Sequence, residues 1–242
     1  MRNNDRHETL LSESCRRNKN ILKYLKQNKR KVKFMKIIKF TGGSLESNGY
    51  LAVDSLGKAF LIDTGCCPEE IIDTINDMDY RLGGIIFTHW HNDHTEGADL
   101  ILKEFGCSCY IHKEDEKYIK KAWENEGIGF MSQYLETFGD DYVFSTGEFS
   151  LKCVNTPGHT KGGCCIINEA EKLMFTGDTI FKDEIGYTCF EGGSSREMAE
   201  SCHMINSWDD EITVYPGHGD SGKLKYIKEN NGEFHQALEM IK

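Results

Sequence analysis

The sequence predicts an α/β protein in which two sheets, or one large sheet, are covered by helices. Three observations carry that prediction. From Met35 onward, short β-rich runs are interleaved with amphipathic helical stretches, the pattern of a layered α/β domain. The histidine- and aspartate-bearing motifs fall at the ends of predicted strands, where a rigid scaffold presents its loops. A chain of 242 residues with 38% apolar content fits one domain, or one domain with an appendage.

The elements follow in order. Ile37–Phe40, Tyr50–Val53 and Phe60–Ile62 read as strands. Pro68 then opens a helix whose Ile71, Ile72 and Ile75 recur at helical spacing as far as Asp77. Gly84–Thr88 is an apolar strand that ends at His89, and a helix over Ala98–Phe105, a strand over Cys109–His112 and a polar helix over Glu114–Trp123 come next. Glu126–Thr146 mixes glycines, aromatics and Asp140-Asp141, and reads as a loop or a helical flap over a site. Strands resume at Phe149–Val154, Cys164–Ile167 and Lys172–Phe175. A helix over Arg196–Ile205, a strand over Ile212–Tyr215 and one or two C-terminal helices complete the chain.

Charge is divided unevenly. Residues 1–36 hold twelve Lys/Arg against three Asp/Glu, which leaves 17 basic and 36 acidic residues, a net of −19, for the remainder. A body that acidic repels polyanions, so no nucleic-acid substrate is expected. Nothing before Phe34 resembles core, so residues 1–34 read as a basic extension, disordered or a short helix, and residues 35–242 as the catalytic domain. No run approaches the roughly 18 apolar residues of a membrane span, and the charged N-terminus lacks a signal core. A cytoplasmic protein without membrane attachment is the expectation. The ten cysteines include the neighbours Cys66-Cys67 and Cys164-Cys165, and read as reduced thiols, since adjacent cysteines bridge only under strain.

The chemistry concentrates in His89-Trp90-His91-Asn92-Asp93-His94. Extended backbone after the strand points His89 and His91 the same way, and the turn into a helix swings Asp93 and His94 to another side. That arrangement suits two adjacent ions, whereas a structural zinc asks for four closed ligands, often thiolates. Three more candidate ligands stand in the same strand-end context: His159 in Thr156-Pro157-Gly158-His159-Thr160, Asp178 in Thr176-Gly177-Asp178-Thr179, and His218 in Pro216-Gly217-His218-Gly219.

With these residues in order, and with Asp63 in Ile62-Asp63-Thr64-Gly65 before them, the chain resembles the metallo-β-lactamase superfamily over most of its length. The resemblance implies a four-layer αββα sandwich. It implies that His89, His91 and His159 hold a first metal, that Asp93, His94 and His218 hold a second, and that Asp178 bridges them. Asp63 would be an outer residue fixing the loop. Imidazole with carboxylate suits two divalent ions, zinc first, with iron or manganese as alternatives. Two such ions can share a hydroxide of near-neutral pKa, and Asp93 is placed to orient it or take its proton.

Among the branches of the superfamily, His94 replaces the arginine of one large β-lactamase class, and His91 stands where the oxygen-reducing di-iron branch has glutamate. The phrases Thr88-His89-Trp90-His91-Asn92-Asp93-His94-Thr95-Glu96-Gly97 and Pro216-Gly217-His218-Gly219-Asp220 resemble the short, single-domain bacterial glyoxalase II-like enzymes. Two features depart from that group. Ile185-Gly186-Tyr187-Thr188-Cys189 aligns with a loop that commonly reads Ile-Gly-Arg-Thr-Asp, and the 24 residues after His218 are too few for the helical domain that grips glutathione. Lys223, Lys225 and Lys228 read as a solvated helix face, with a grip on a substrate carboxylate as the alternative, and Lys161 stands two residues after His159. The implied activity is hydrolysis of a small thioester by attack of a metal-bridging hydroxide. The alternatives are a mononuclear iron persulfide dioxygenase using His89, His91 and Asp178, a hydrolase of another ester or lactone, and a binding module without turnover.

Overall fold

A computed structural model describes residues 35–241, so the basic extension expected over 1–34 lies outside the described residues. Among these residues, twelve strands form two six-stranded sheets and seven α-helices cover them. The first sheet takes β1 (Lys36–Gly42), β2 (Ser47–Val53), β3 (Lys58–Ile62), β4 (Arg81–Ile86), β5 (Cys109–His112) and β6 (Leu135–Phe138) in chain order. Its first three strands are an antiparallel meander, and β3 to β6 run parallel. Parallel neighbours need long crossovers. Here α1 (Pro68–Met78), α2 (Asn92–Thr95) with α3 (Ala98–Phe105), and α4 (Glu116–Asn125) supply them. Sequence explains α1: Pro68 starts it, Glu69 and Glu70 sit in its first turn, and Ile71, Ile75 and Met78 bury one face.

The second sheet contains β7 (Val143–Ser145), β8 (Ser150–Asn155), β9 (Cys164–Asn168), β10 (Leu173–Gly177), β11 (Thr213–Pro216) and β12 (Gly222–Lys223). Its order, β12-β11-β10-β9-β8-β7, is antiparallel except for the parallel pair β10–β11. Helix α5 (Ser195–Asn206) makes that crossover, and α6 (Leu224–Asn230) and α7 (Gly232–Met240) close the layer, so the C-terminal helices number two.

The period-two alternation of the strands builds three cores from these layers. Along β2, Tyr50 and Ala52 enter the core between the sheets, while Leu51 and Val53 enter the core beneath α1, α3 and α4. In β9, Cys164 and Ile166 face the other sheet, whereas Cys165 and Ile167 face α5, α6 and α7. The result is the αββα sandwich. It also explains the paired cysteines, because Cys164 and Cys165 point to opposite faces, and all nine cysteines among the described residues are free thiols. No helix of the described residues is long and apolar enough to cross a membrane.

Two expectations need correction. Glu126–Thr146 is neither loop nor flap: a 3-10 helix over Gly129–Tyr134 leads into β6 and β7, the edge strands of opposite sheets, so the segment is the crossover between the two halves. Glu136 and Thr137 are exposed on an edge, and that removed the apolar alternation by which a strand is read. The strand before the histidine run also ends at Ile86, with a last ladder bond from Phe87 N to the Tyr110 carbonyl (2.9 Å), and not at Thr88. Thr88 instead accepts at its carbonyl from Cys164 N (3.0 Å), so the chain passes from one sheet toward the other just before His89.

Candidate metal centre

All seven sequence-predicted ligands meet at one end of the sandwich, where the strand ends of both sheets converge. His89 follows β4, His91 caps α2 and Asp93 and His94 lie within it. His159 sits between β8 and β9, Asp178 follows β10, and His218 follows β11. Among the described residues, three groups have ligand-type atoms clustered within 4.8 Å: His89, His91, His159; His89, His94, Asp178; and Asp93, His94, His218.

Hydrogen bonds fix which ring nitrogen faces the centre. Asp63 accepts from Thr88 N (2.8 Å), Thr88 Oγ1 (2.7 Å) and His94 Nδ1 (2.9 Å), which turns His94 Nε2 inward. Since the Thr88 hydroxyl hydrogen is spent on Asp63, His89 Nδ1 donates to Thr88 Oγ1 (3.1 Å) and leaves its own Nε2 bare. His159 Nδ1 donates to the Tyr187 carbonyl (2.6 Å), and His218 Nδ1 to the Leu45 carbonyl (3.0 Å). His159 Nε2 and His91 Nδ1 then face one another at 2.8 Å. Such outer bonds are how proteins select the tautomer and orientation of a metal-binding ring.

Electrostatics separates the ligands into two kinds. Burial lowers the pKa of His89 well below its ordinary value, brings His91 down to about 4 and lowers His159, so these rings are neutral. For His94, burial works downward too, but Asp178 and Asp63 outweigh it and raise the pKa well above the ordinary value. His218 follows the same logic and rises to about 10 on its bonds to Asp178 and Asp93. In the carboxylates, burial pushes upward and is overcome: His218 and His94 lower Asp93, and His94 and His218 lower Asp178. Asp178 touches both kinds, with Oδ1 3.3 Å from His94 Nε2 and Oδ2 3.5 Å from both His159 Nε2 and His218 Nε2. Asp93 Oδ2 lies 3.2 Å from His218 Nε2 and 3.4 Å from His94 Nε2.

This donor set fits bound cations. His89 Nε2 is buried with no hydrogen-bond partner, and His94 Nε2 and Asp178 Oδ1, also buried, have no well-aligned bond beyond their 3.3 Å approach to one another. Buried groups are seldom left so. The close approach of Gly217 to Asp178 Oδ1 and the His94 ring leaves no room there for a Cβ.

Several supporting residues carry no distinctive sequence signal. Asp115 is fully buried at the N-cap position of α4, where its side chain makes no capping bond and instead accepts from Thr160 Oγ1 (2.7 Å) and Gly162 N (2.6 Å). It also bonds the Trp90 backbone, so it ties the loop of His89 and His91 to the loop of His159. Burial raises its pKa to about 6 against those bonds. In sequence, Glu114-Asp115 is indistinguishable from an ordinary helix start. Ser47 Oγ donates to the Asp93 carbonyl (2.7 Å). None of the lysines weighed from sequence lines the cavity beside the centre: Lys161 is exposed, Lys223 donates to the Glu211 carbonyl, Lys225 pairs with Glu229 and Lys228 with Asp210.

Layers and site together define the class, and residues 42–218 match it directly: the chain belongs to the metallo-beta-lactamase superfamily. Among curated relatives, the probable polyketide biosynthesis zinc-dependent hydrolase PksB of Bacillus subtilis is 30% identical, over 70% of this chain and 71% of that protein. The hydroxyacylglutathione hydrolase GloC of Haemophilus influenzae is 28% identical, over 78% of this chain and 92% of that protein. Among solved structures, TTHA1623 in a di-iron-bound form superposes with a TM-score of 0.69 at 23% identity, covering 81% of this chain and 98% of that one.

Proposed function

We propose that the protein is a binuclear metal-dependent hydrolase of a small thioester. Residues 35–242 form its catalytic domain and residues 1–34 a basic extension. His89, His91 and His159 hold one divalent cation, Asp93, His94 and His218 the other, and Asp178 stands between them. The observation that carries this reading is the convergence of orphaned and mutually facing ligand atoms at one point. Zinc is the metal of choice for imidazole with carboxylate, and the relative PksB is named zinc-dependent; iron and manganese suit the same donors.

When bound, the cations bring the pKa of a water toward neutrality and polarise the scissile carbonyl. The protein's part is orientation. Asp63, Thr88 and the Tyr187 carbonyl hold three rings in place, and partly exposed Asp93 lines the cavity, where it would orient the attacking water. A thioester is the substrate class because a thiolate leaves without a proton donor, and the relative GloC is named for a thioester.

The test is protein stripped with a chelator and reloaded with zinc. Thioester hydrolysis should vanish on stripping and return with two equivalents of zinc. Oxygen uptake with a persulfide, by protein holding a single iron, would overturn the hydrolase in favour of the dioxygenase.

A further inference from the structure

The metal centre opens into a cavity of about 1000 Å³ whose two walls present large rings. On one side Trp90 stacks on Tyr118, with centroids 5.6 Å apart and 21° between planes. Phe190 meets His91 at 5.3 Å and His159 at 5.9 Å, and Tyr187 lies beside it on the same loop. On the other side Phe181 meets His218 at 5.8 Å. Phe190 is 50% exposed and Tyr187 69%, and apolar rings left open around a concave site mark a binding surface. Their backbone is fixed from behind. The Tyr187 carbonyl accepts from His159, and Gly186 passes so close to the Asp178 carbonyl that no side chain fits between.

The charge at the mouth points the same way. Glu126, Asp183, Glu184, Glu191 and Asp220 line the cavity against Lys121 and Lys182. Both lysines are engaged, Lys121 with Glu191 at 3.2 Å and Lys182 over the Tyr226 ring at 5.4 Å. Tyr187 also occupies the position where the resembling loop carries arginine, so a cation is replaced by a ring. Five carboxylates against two ammonium groups leave an excess of negative charge, which repels anionic ligands.

We infer that the cavity selects thioesters with a bulky apolar acyl group and an uncharged thiol portion, and discriminates against anionic thiols such as glutathione. The acyl group packs on Phe190, Tyr187 and the Trp90–Tyr118 pair, and the thiol portion leaves past the acidic mouth. This inference rests on the thioesterase reading above.

Four substrates test it on zinc-loaded protein: acetyl and 3-phenylpropionyl thioesters, each of N-acetylcysteamine and of glutathione. For the N-acetylcysteamine pair, kcat/KM should favour 3-phenylpropionyl by about tenfold or more, as apolar groups in a complementary pocket do. The neutral thiol should be favoured over glutathione by about tenfold, and that gap should shrink in about 0.5 M salt as charges are screened. Phe190→Ala with Tyr187→Ala should close the acyl gap through KM while the metal content stays at the wild-type value. Equal rates on both acyl groups, or a preference for the glutathione thioesters, would overturn the inference and leave the hydrolase intact. Turnover of none of the four by protein holding two cations would overturn the thioesterase reading first, and the inference with it.

Discussion

His89, His91 and His159 are three neutral rings, whereas in the triad of Asp93, His94 and His218 two protonated rings stand among carboxylates. The first group is buried enough that desolvation dominates each pKa. The second keeps its histidines protonated because carboxylates surround them. On the proposed reading, a cation would enter the first triad without displacing protons and would have to expel them from the second. The two halves of the centre are therefore unequal before any metal arrives, and Asp178, in contact with ligands of both, couples them.

Removing the coupling residue should have the largest effect. Asp178→Ala is expected to lower kcat/KM by about a thousandfold or more and to reduce bound zinc from two ions to one, read by kinetics and elemental analysis. His218→Ala should sharpen the contrast: the first triad keeps its ion, the second loses its own, and activity falls by about a hundredfold. If both ions left with His218, the triads would not be separable. Asp115→Asn probes the other side, because Asp115 bonds the backbone between His89 and His91 and the loop that follows His159. About tenfold weaker binding of the first zinc is expected, with the second changed less, as outer-shell losses commonly give.

The smallest effect is a pH signature. His91 titrates at about 4 and His218 at about 10, so between those values His91 is bare and His218 carries a proton. Calorimetric zinc titration in buffers of different ionisation enthalpy, between about pH 6 and 8, should show near-zero proton release for the first ion. The second should release about two protons, one each from His94 and His218, and its affinity should therefore rise with pH. Equal proton release by both ions would erase the distinction between the triads.

The seven candidate ligands stand out in the sequence because each sits in a short glycine- or histidine-rich phrase soon after an apolar strand. Strand ends are where the fold exposes side chains. The layered order was legible for a related reason, since Tyr50–Val53 of β2 and Cys164–Ile167 of β9 are buried on both faces and read as continuous apolar runs. What escaped was written in other terms. The Tyr187 carbonyl that orients His159 is main chain, and no residue type announces it. Asp115 does its tethering from a position that any helix cap occupies. Strands β6 and β7 are edge strands with exposed residues, so half of their pattern is polar. The aromatic wall is assembled from Trp90, Tyr118 and Phe190 on three separate segments, and only folding makes it a surface.

The central claim is that two cations lie in two chemically different triads joined by Asp178. A crystal of zinc-loaded protein, with anomalous scattering recorded on both sides of the zinc edge, tests it directly. The account predicts two zinc peaks, one among His89, His91 and His159 and one among Asp93, His94 and His218, with the Asp178 carboxylate between them. A single peak held by His89, His91 and Asp178, with Asp93, His94 and His218 turned away from it, would contradict the account.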